Sequence, residues 1–443
     1  MIQTIRNAWK VPELRGKLLF TVFALLIFRL GAAIPVPFID THQLSAYMQS
    51  QSTSIFSLLN VMSGDAFAQA TLFALSIQPY INSSIIIQLL TIAIPALERL
   101  QKEGGEEGKK KLAAITRYAT VAIALIQAFG YYTLIHYYGL VAEGIWPAVV
   151  IVTAFVAGSA FLMWLGEQIT EFGIGNGISI ILFAGIVARG PAMVSTMISG
   201  VTTWASGATG ETALRLHPAF IPLILAGMLL LVAFIVFMDN SERRIPVQYA
   251  KRVVGRKMYG GQSSHLPIKV NMSGVLPIIF AQTIATIPNT IGMFVPDAHV
   301  EGTGWYNFLE VFKPTGLVYS IVYFLLIVAF SYFYNTIQFN PIEVANNLKK
   351  NGGFVPGFRP GKPTSDFLSK VVSRLTMFGA LYLAVVALLP TIVGNIMVAL
   401  GSNAGQSLAI GGTSVIIVVG VALETVKALE AQLMMRHYKG FLE

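Results

Sequence analysis

The sequence predicts an all-α, multi-pass membrane protein with ten transmembrane helices in two inverted five-helix halves. Three observations predict it. Of the 443 residues, 55% are hydrophobic and only 12% are charged, about half the charged share of a soluble domain. Ten stretches approach the roughly 20 mainly apolar residues that a spanning helix needs. Lysine and arginine are segregated between alternate connections. Mean hydropathy is +0.67.

The first span, about 18–35, follows Arg6, Lys10, Arg15 and Lys17. That basic start resembles a signal peptide, but the apolar run passes Arg29 to Ile34, lacks an A-x-A site and precedes nine more spans. Next comes TSIFSLLNVMSGDAFAQATLF, residues 53–73. Its run from Ile55 to Met62 is too short to cross a bilayer, and Ser63, Gly64 and Asp65 break it. A re-entrant segment and a surface-lying amphipathic helix both fit this length.

The second span, about 71–95, contains ALSIQPYINSSIIIQLL at 74–90. Pro79 inside it removes a helical hydrogen bond and predicts a bend. Ile77 and Ile81, four apart, share a face. GGEEGKKK at 104–111 lacks the spacing of a nucleotide-binding P-loop. Spans three and four are expected at about 113–135 and 147–166. WLGEQITEFGIGNGISIIL, 164–182, leads into the fifth, about 175–194. No strand precedes GIGNG and its spacing is not GxGxxG, so it reads as a tight turn that launches a helix. Ile178 and Leu182 form a second apolar i, i+4 pair.

A polar loop at 200–219 divides the chain into halves at 1–199 and 220–443. Spans six to ten are expected at about 220–238, 273–295, 315–338, 375–394 and 408–426. Five spans per half is odd, which places the halves in opposite orientations, the arithmetic of an inverted repeat.

Of the 30 Lys and Arg, only Arg29, Arg189, Arg215 and Lys313 fall in outer halves of spans or in loops on the side away from the termini. Basic residues favour the cytoplasm, so both termini are expected there and the 200–219 loop outside. Two loops concentrate the charge. That at about 240–270 carries Arg243, Arg244, Lys251, Arg252, Arg256 and Lys257; that at about 339–372 carries Lys349, Lys350, Arg359 and Lys362. The net charge of +9 asks for anionic neighbours, whether lipid, nucleic acid or acidic protein.

Some functions are disfavoured. Without cysteine, disulfides and thiolate metal sites are excluded, and the six histidines form no ligand pair on an apolar helix. No cofactor is expected. Ion-coupled transporters usually keep Asp, Glu or His at membrane depth, whereas Glu167, Asp239 and Glu424 lie near span ends, and Arg29 is long enough to snorkel outward. The spans carry neutral polar groups instead: Gln78, Asn82, Ser83, Ser84, Gln88, Gln127, Gln282 and Thr283. Ordinary helix–helix hydrogen bonding and a weakly polar seam that parts and re-forms both fit them. A gated protein-conducting channel, a small-solute transporter with an inverted repeat, and a membrane-embedded enzyme are the three classes to separate. The last needs a cluster of acids, bases or nucleophiles, and none is seen in the sequence, so no enzyme is expected.

The motifs at 74–90 and 164–182, together with NPIEVANNLKKNGGFVPGFRPG at 340–361, resemble the SecY family, the central subunits of the bacterial protein-translocation channel. The likeness runs through the whole chain; one departure is Ser76, where the family usually has glycine. The resemblance implies ten helices around a central pore. It implies a passive, gated channel that secretes unfolded preproteins and releases membrane proteins sideways into the bacterial plasma membrane. It places a pore ring at Ile77, Ile81, Ile178, Leu182, Ile279 and Ile417. It places a plug at about 55–68, with Phe56, Leu58, Leu59, Val61, Met62 and Gly64. Spans two and seven, helped by three and eight, become a lateral gate whose polar members include Asn82, Gln88, Gln127 and Gln282. The basic loops become docking sites for the SecA ATPase and the ribosome. Implied partners are SecE and SecG-type small membrane subunits, signal sequences, preproteins and anionic lipids.

Overall fold

The computed structural model describes residues 2–50, 60, 63–206, 218, 220–249, 252–254, 257–259, 263–295, 302–313, 316–399 and 412–439. In chain order the helices are α1 Ile2–Lys10, α2 Pro12–Gly31, α3 Thr41–Ser50, α4 Gln78–Ala93, α5 Pro95–Lys102, α6 Gly105–Tyr137, α7 Ile145–Phe172, α8 Gly177–Ala188, α9 Gly190–Ala205 and α10 Phe220–Asn240. Strands β1 Glu242–Tyr249, β2 Arg252–Val254, β3 Lys257–Tyr259 and β4 Ser263–Lys269 follow. Then come α11 Leu276–Gly292, α12 Gly304–Val311, α13 Leu317–Gln338, α14 Pro341–Lys350, β5 Gly353–Phe354, α15 Lys362–Ala399 and α16 Gly412–Lys439.

Among the described residues, six helices or runs of helix are long and apolar enough to cross a membrane, seven if the bent pair α4–α5 is one span. The remaining expected spans fall on α2, α11 and α16. Apolar side chains such as Leu26 on α2, Leu229 and Leu230 on α10 and Leu317 on α13 are exposed, which in water would be costly and in lipid is not. The bend between α4 and α5 is 101°. Pro95 disfavours helix at the residue before it, and Ile94 is extended there with φ −109° and ψ 112°.

Among the expected boundaries that move, two bear on the site. The fifth span continues through α9 to Ala205, so residues 200–205 of the expected polar loop are helical. The second span starts at Gln78, because 71–77 is a chain of turns. Pro79 therefore lies in the first turn of α4 rather than bending it from within; there its missing N–H costs nothing.

The chain forms two compact units that are discontinuous in sequence. The first comprises Met1–Leu223, Ala285–Tyr319 and Pro390–Glu443. In it α4 packs on α6, α6 on α7, α7 on α8 and α8 on α16. Its core gathers Phe67, Ala70, Ala74, Tyr131, Leu134, Ile151 and Phe155. A smaller cluster joins Ala8 and Leu14 to Ile174 and Leu429, tying both ends of the chain to the GIGNG turn.

The second unit comprises Ile224–Ile284 and Ser320–Leu389. It contains strands that an all-helical expectation missed. β1 pairs antiparallel with β4 on one side and β5 on the other. Through Gln248 opposite Phe354 and Tyr249 opposite Gly353, the two basic loops become one sheet. Ile245 and Val247 of β1 are buried with Ile268, Ala345, Val355, Leu368 and Val372.

Candidate functional site

The GIGNG turn behaves as its glycines predict. Asn176 caps α8, its Oδ1 accepting from the backbone N–H of Ile178 at 3.0 Å and of Ser179 at 3.3 Å. Gly177 rests on the Gly166 carbonyl of α7, so closely that a Cβ has no room. This contact fixes α8 against α7 and aims Ile178.

Ile77, at the N-cap of α4, is buried, and its carbonyl accepts from Ile81 N at 3.1 Å. A Cβ added at Gly166 would lie 3.4 Å from Ile77 Cδ1, 3.3 Å from Ile178 Cγ1 and 3.5 Å from Ile181 Cδ1. Two of the expected ring residues thus converge over a bare patch of α7, joined by Ile181, which sequence reasoning left out. Ile81, Leu182 and Ile417 are buried in the same unit. Ile279 is buried and belongs to the second unit.

Two of the neutral polar residues bond to each other and one bonds to a neighbouring helix backbone. Gln78 Nε2 donates to Asn82 Oδ1 at 3.3 Å, one turn along the same helix. Ser83 donates to the Thr116 carbonyl at 2.9 Å, an ordinary bond between α4 and α6. Gln88 and Gln127 are half-buried and Gln282 is buried. Glu167 pairs with Arg117 of the neighbouring α6 at 2.9 Å.

Of the expected plug residues, Phe56, Leu58, Leu59, Val61 and Met62 lie outside the described residues. Gly64 is buried, with φ +67°. A Cβ on it would come 2.8 Å from the Gly185 carbonyl of α8. Arg29 does not simply snorkel: its Nη1 donates to the Gly64 carbonyl at 3.4 Å. Downstream, Phe67 is locked into the core. It stacks on Tyr131 with ring centroids 4.4 Å apart, and the Tyr131 hydroxyl donates to its carbonyl.

The basic residues spread over the sheet and its neighbours. Arg243 and Arg244 are exposed on β1, the latter 2.7 Å from Glu242. Arg252 and Lys257 lie on the β2–β3 hairpin, while Lys251 and Arg256 are outside the described residues. Lys349 and Lys350 are exposed in the last turn of α14, where cations favour the helix dipole. Arg359 is exposed at the tip of 353–363. Gly357 (φ +88°) and Gly361 (φ +103°) flank it in left-handed conformations with open space around them, so backbone geometry explains glycine there. The Arg359 carbonyl accepts from Thr364 Oγ1 at 2.8 Å. Phe358 stacks on Phe367 with centroids 4.2 Å apart. The aromatics thus hold the tip down while the guanidinium faces outward.

Comparison with known proteins gives the family and the fold. A sequence model of the SecY family matches residues 71–426. The chain is 42% identical to the protein translocase subunit SecY of Streptomyces galbus and 41% identical to that of Mycobacterium bovis, each match covering all of both chains. Its fold is similar to a solved protein-conducting channel, with TM-score 0.62 and 18% identity over 94% of this chain and 92% of the other. It is also similar to Sec61 from a canine ribosome–channel complex of the endoplasmic reticulum, with TM-score 0.61 and 16% identity over the same shares. Full-length identity above 40%, a family match that includes the segments of Ile77, Gly166 and Ile178, and a shared fold place the chain in the SecY family.

Proposed function

We propose that the chain is the passive, gated, protein-conducting subunit of a bacterial protein translocase. The observation that carries this reading is the convergence of Ile77 and Ile178 beside Gly166, on segments inside the family match. An apolar constriction stops ions by dewetting, without any fixed charge. Branched aliphatic side chains also close around an extended polypeptide of any sequence, because they demand no particular hydrogen bond. In this reading Ile81, Leu182, Ile279 and Ile417 complete the ring, and the segment around Gly64 plugs it.

The lateral gate runs along spans two and seven. Its polar side chains each contribute about 0.6 kcal/mol in a membrane, enough to hold a seam without locking it. A signal sequence enters the seam because each Leu, Ile, Phe or Val gains a few tenths of a kcal/mol in lipid. Partition then sorts apolar leaders from polar chain in transit.

Drive comes from outside the chain, from a SecA-type ATPase or the translating ribosome. The sheet joining the basic loops offers Arg243, Arg244, Lys349, Lys350 and Arg359 to such a partner. Arginine grips carboxylate and phosphate bidentately, and contacts to ribosomal RNA weaken steeply with salt. SecE and SecG-type subunits accompany the chain, the termini and basic loops face the cytoplasm, and anionic lipids of the plasma membrane border them.

The test is crosslinking of a stalled secretory chain. Photoreactive groups at residues 77, 81, 178 and 279 should each capture the nascent polypeptide, and one at exposed Leu229 should not. Capture at none of the four, with the chain stalled in the membrane, refutes the pore assignment.

A further inference from the structure

Asp65 is an isolated acid in an apolar stretch, and its polar contacts join it to Arg189 and to the chain on either side of the core anchor at Phe67. Its carboxylate lies 3.0 Å from Arg189 Nε, with both side chains about one-quarter to one-third exposed (26% for Arg189, 30% for Asp65). The pair is in ionic contact, and the Nε–H is not aligned as a hydrogen bond. Asp65 Oδ1 also accepts from Asn60 Nδ2 at 2.9 Å. Asn60 Oδ1 in turn accepts from the backbone N–H of Ala68 at 2.8 Å. Ser63 Oγ donates to the Asn60 carbonyl at 3.1 Å and accepts from Phe67 N at 3.0 Å.

Arg189 sits at the junction of two helices, C-cap of α8 and N-cap of α9. Asp65 itself holds φ +71°, a left-handed conformation that aspartate tolerates better than most residues. Gly64 lies against the Gly185 carbonyl of the same helix, which leaves room for no other residue type. Asp65 is therefore held to α8 by the ion pair and Gly64 to α2 by Arg29, while Asn60 and Ser63 bond within the segment to Asp65, Phe67 and Ala68; Ala66, Phe67 and Ala70 are held by apolar burial.

We propose that the Asp65–Arg189 ion pair is a latch that sets how strong a signal sequence must be to open the channel. The proposal rests on the reading of the Gly64 region as the plug. Opening the channel requires residues 63–65 to leave their seat, and the Asp65–Arg189 pair and the Arg29–Gly64 bond are the contacts that can break without disrupting a core. Asp65 and Arg189 are specificity-determining residues in this sense: they bias the closed state and touch no substrate.

The experiment uses the chain co-purified with its native membrane subunits, reconstituted in proteoliposomes with SecA and ATP. Asp65→Arg, Arg189→Asp, the double exchange and the isosteric Asp65→Asn are compared with the parent. Two quantities are read: chloride leak without substrate, and translocation of one preprotein carrying a full or a shortened apolar signal. Each single change should raise leak and shortened-signal transport by about fivefold, as for the loss of a partly exposed ion pair. The double exchange should return both toward the parent. Asp65→Asn, which keeps the side-chain shape, should behave as the reversals do even where a reversal fails to fold.

Singles and Asp65→Asn that match a parent active on the full signal overturn the latch while leaving the channel reading in place. So does a double exchange whose effect is the sum of the singles. A parent that transports neither preprotein overturns the channel reading and the latch together.

Discussion

Ser76→Gly should stabilise the protein by about 1–2 kcal/mol. Ser76 immediately precedes Ile77 and has φ +51°, a left-handed backbone for which side chains other than glycine, asparagine and aspartate are poorly suited. That conformation costs about 1–2 kcal/mol. The side chain is buried, and among the described residues its Oγ has no hydrogen-bond partner, which costs about 1–3 kcal/mol more. Against this, glycine loses about 0.5–1 kcal/mol of chain entropy on folding, and removing the hydroxymethyl group forfeits roughly 1 kcal/mol of packing. The backbone bonds survive the change: Ser76 N to the Phe73 carbonyl at 2.8 Å, and Ser159 Oγ to the residue 76 carbonyl at 3.3 Å. Ser76→Ala separates the terms, since it removes the orphan hydroxyl and keeps the strained φ. Thermal unfolding in one detergent, followed by tryptophan fluorescence, should rank the midpoints glycine, then alanine, then serine. For a chain of this length the full shift is about 2 °C. A glycine variant that folds and melts at or below the parent refutes the strain argument. An alanine variant equal to glycine refutes the backbone part of it alone.

Three further outcomes are expected. Ile81→Asn or Ile417→Asn places an amide at a buried aliphatic site, costing the closed state about 1–3 kcal/mol; leak and acceptance of weak signals should both rise, and an unchanged signal requirement without leak removes these residues from the pore. Arg359→Glu should lower SecA-driven translocation about tenfold while the complex still assembles, because the side chain is exposed and the tip is held by Phe358 and Thr364; near-normal transport by that variant removes Arg359 from the docking site. Tyr131→Phe leaves the Phe67 carbonyl without its buried donor, so it should destabilise the fold by about 1–2 kcal/mol, read as earlier thermal unfolding, with the signal requirement unchanged.

Apolar length made the helices legible, and motif spacing made the Ile77 and Ile178 segments legible. The sheet escaped although its pattern was present: in RIPVQY, residues 244–249, Ile245, Val247 and Tyr249 recur at every second position, and Ile245 and Val247 are buried. That run is short and lies among basic residues, so a reading centred on charge passed over it. The pairing of β1 with β5 joins positions more than 100 residues apart, which no local pattern reports. Residues 71–77 read as helix because their composition is apolar. The left-handed dihedrals at Ala70 and Ser76 instead turn the chain to meet residues 34–36, through Val36 N to the Ala70 carbonyl at 3.0 Å and Leu72 N to the Ile34 carbonyl at 2.9 Å. Asp65 and Arg189 were visible as lone opposite charges. What hid their pairing was the turn at 63–65, which depends on contacts with α8.

The division of labour between these groups follows from the physics of a seal. A constriction that must exclude ions and still admit any polypeptide has to be apolar, so it offers no directional bond with which to hold itself shut. Dispersion contacts between aliphatic side chains fall away gradually as the ring widens. The cooperativity of closing must therefore come from groups beside the constriction that have two distinct arrangements. The ion pair and hydrogen bonds around Asp65 are proposed as such groups: formed, they pair a partly desolvated carboxylate with a guanidinium, and broken, both are rehydrated. On this view an uncharged ring and a charged seat require each other, and a variant that neutralises the seat should widen substrate choice before it reduces transport.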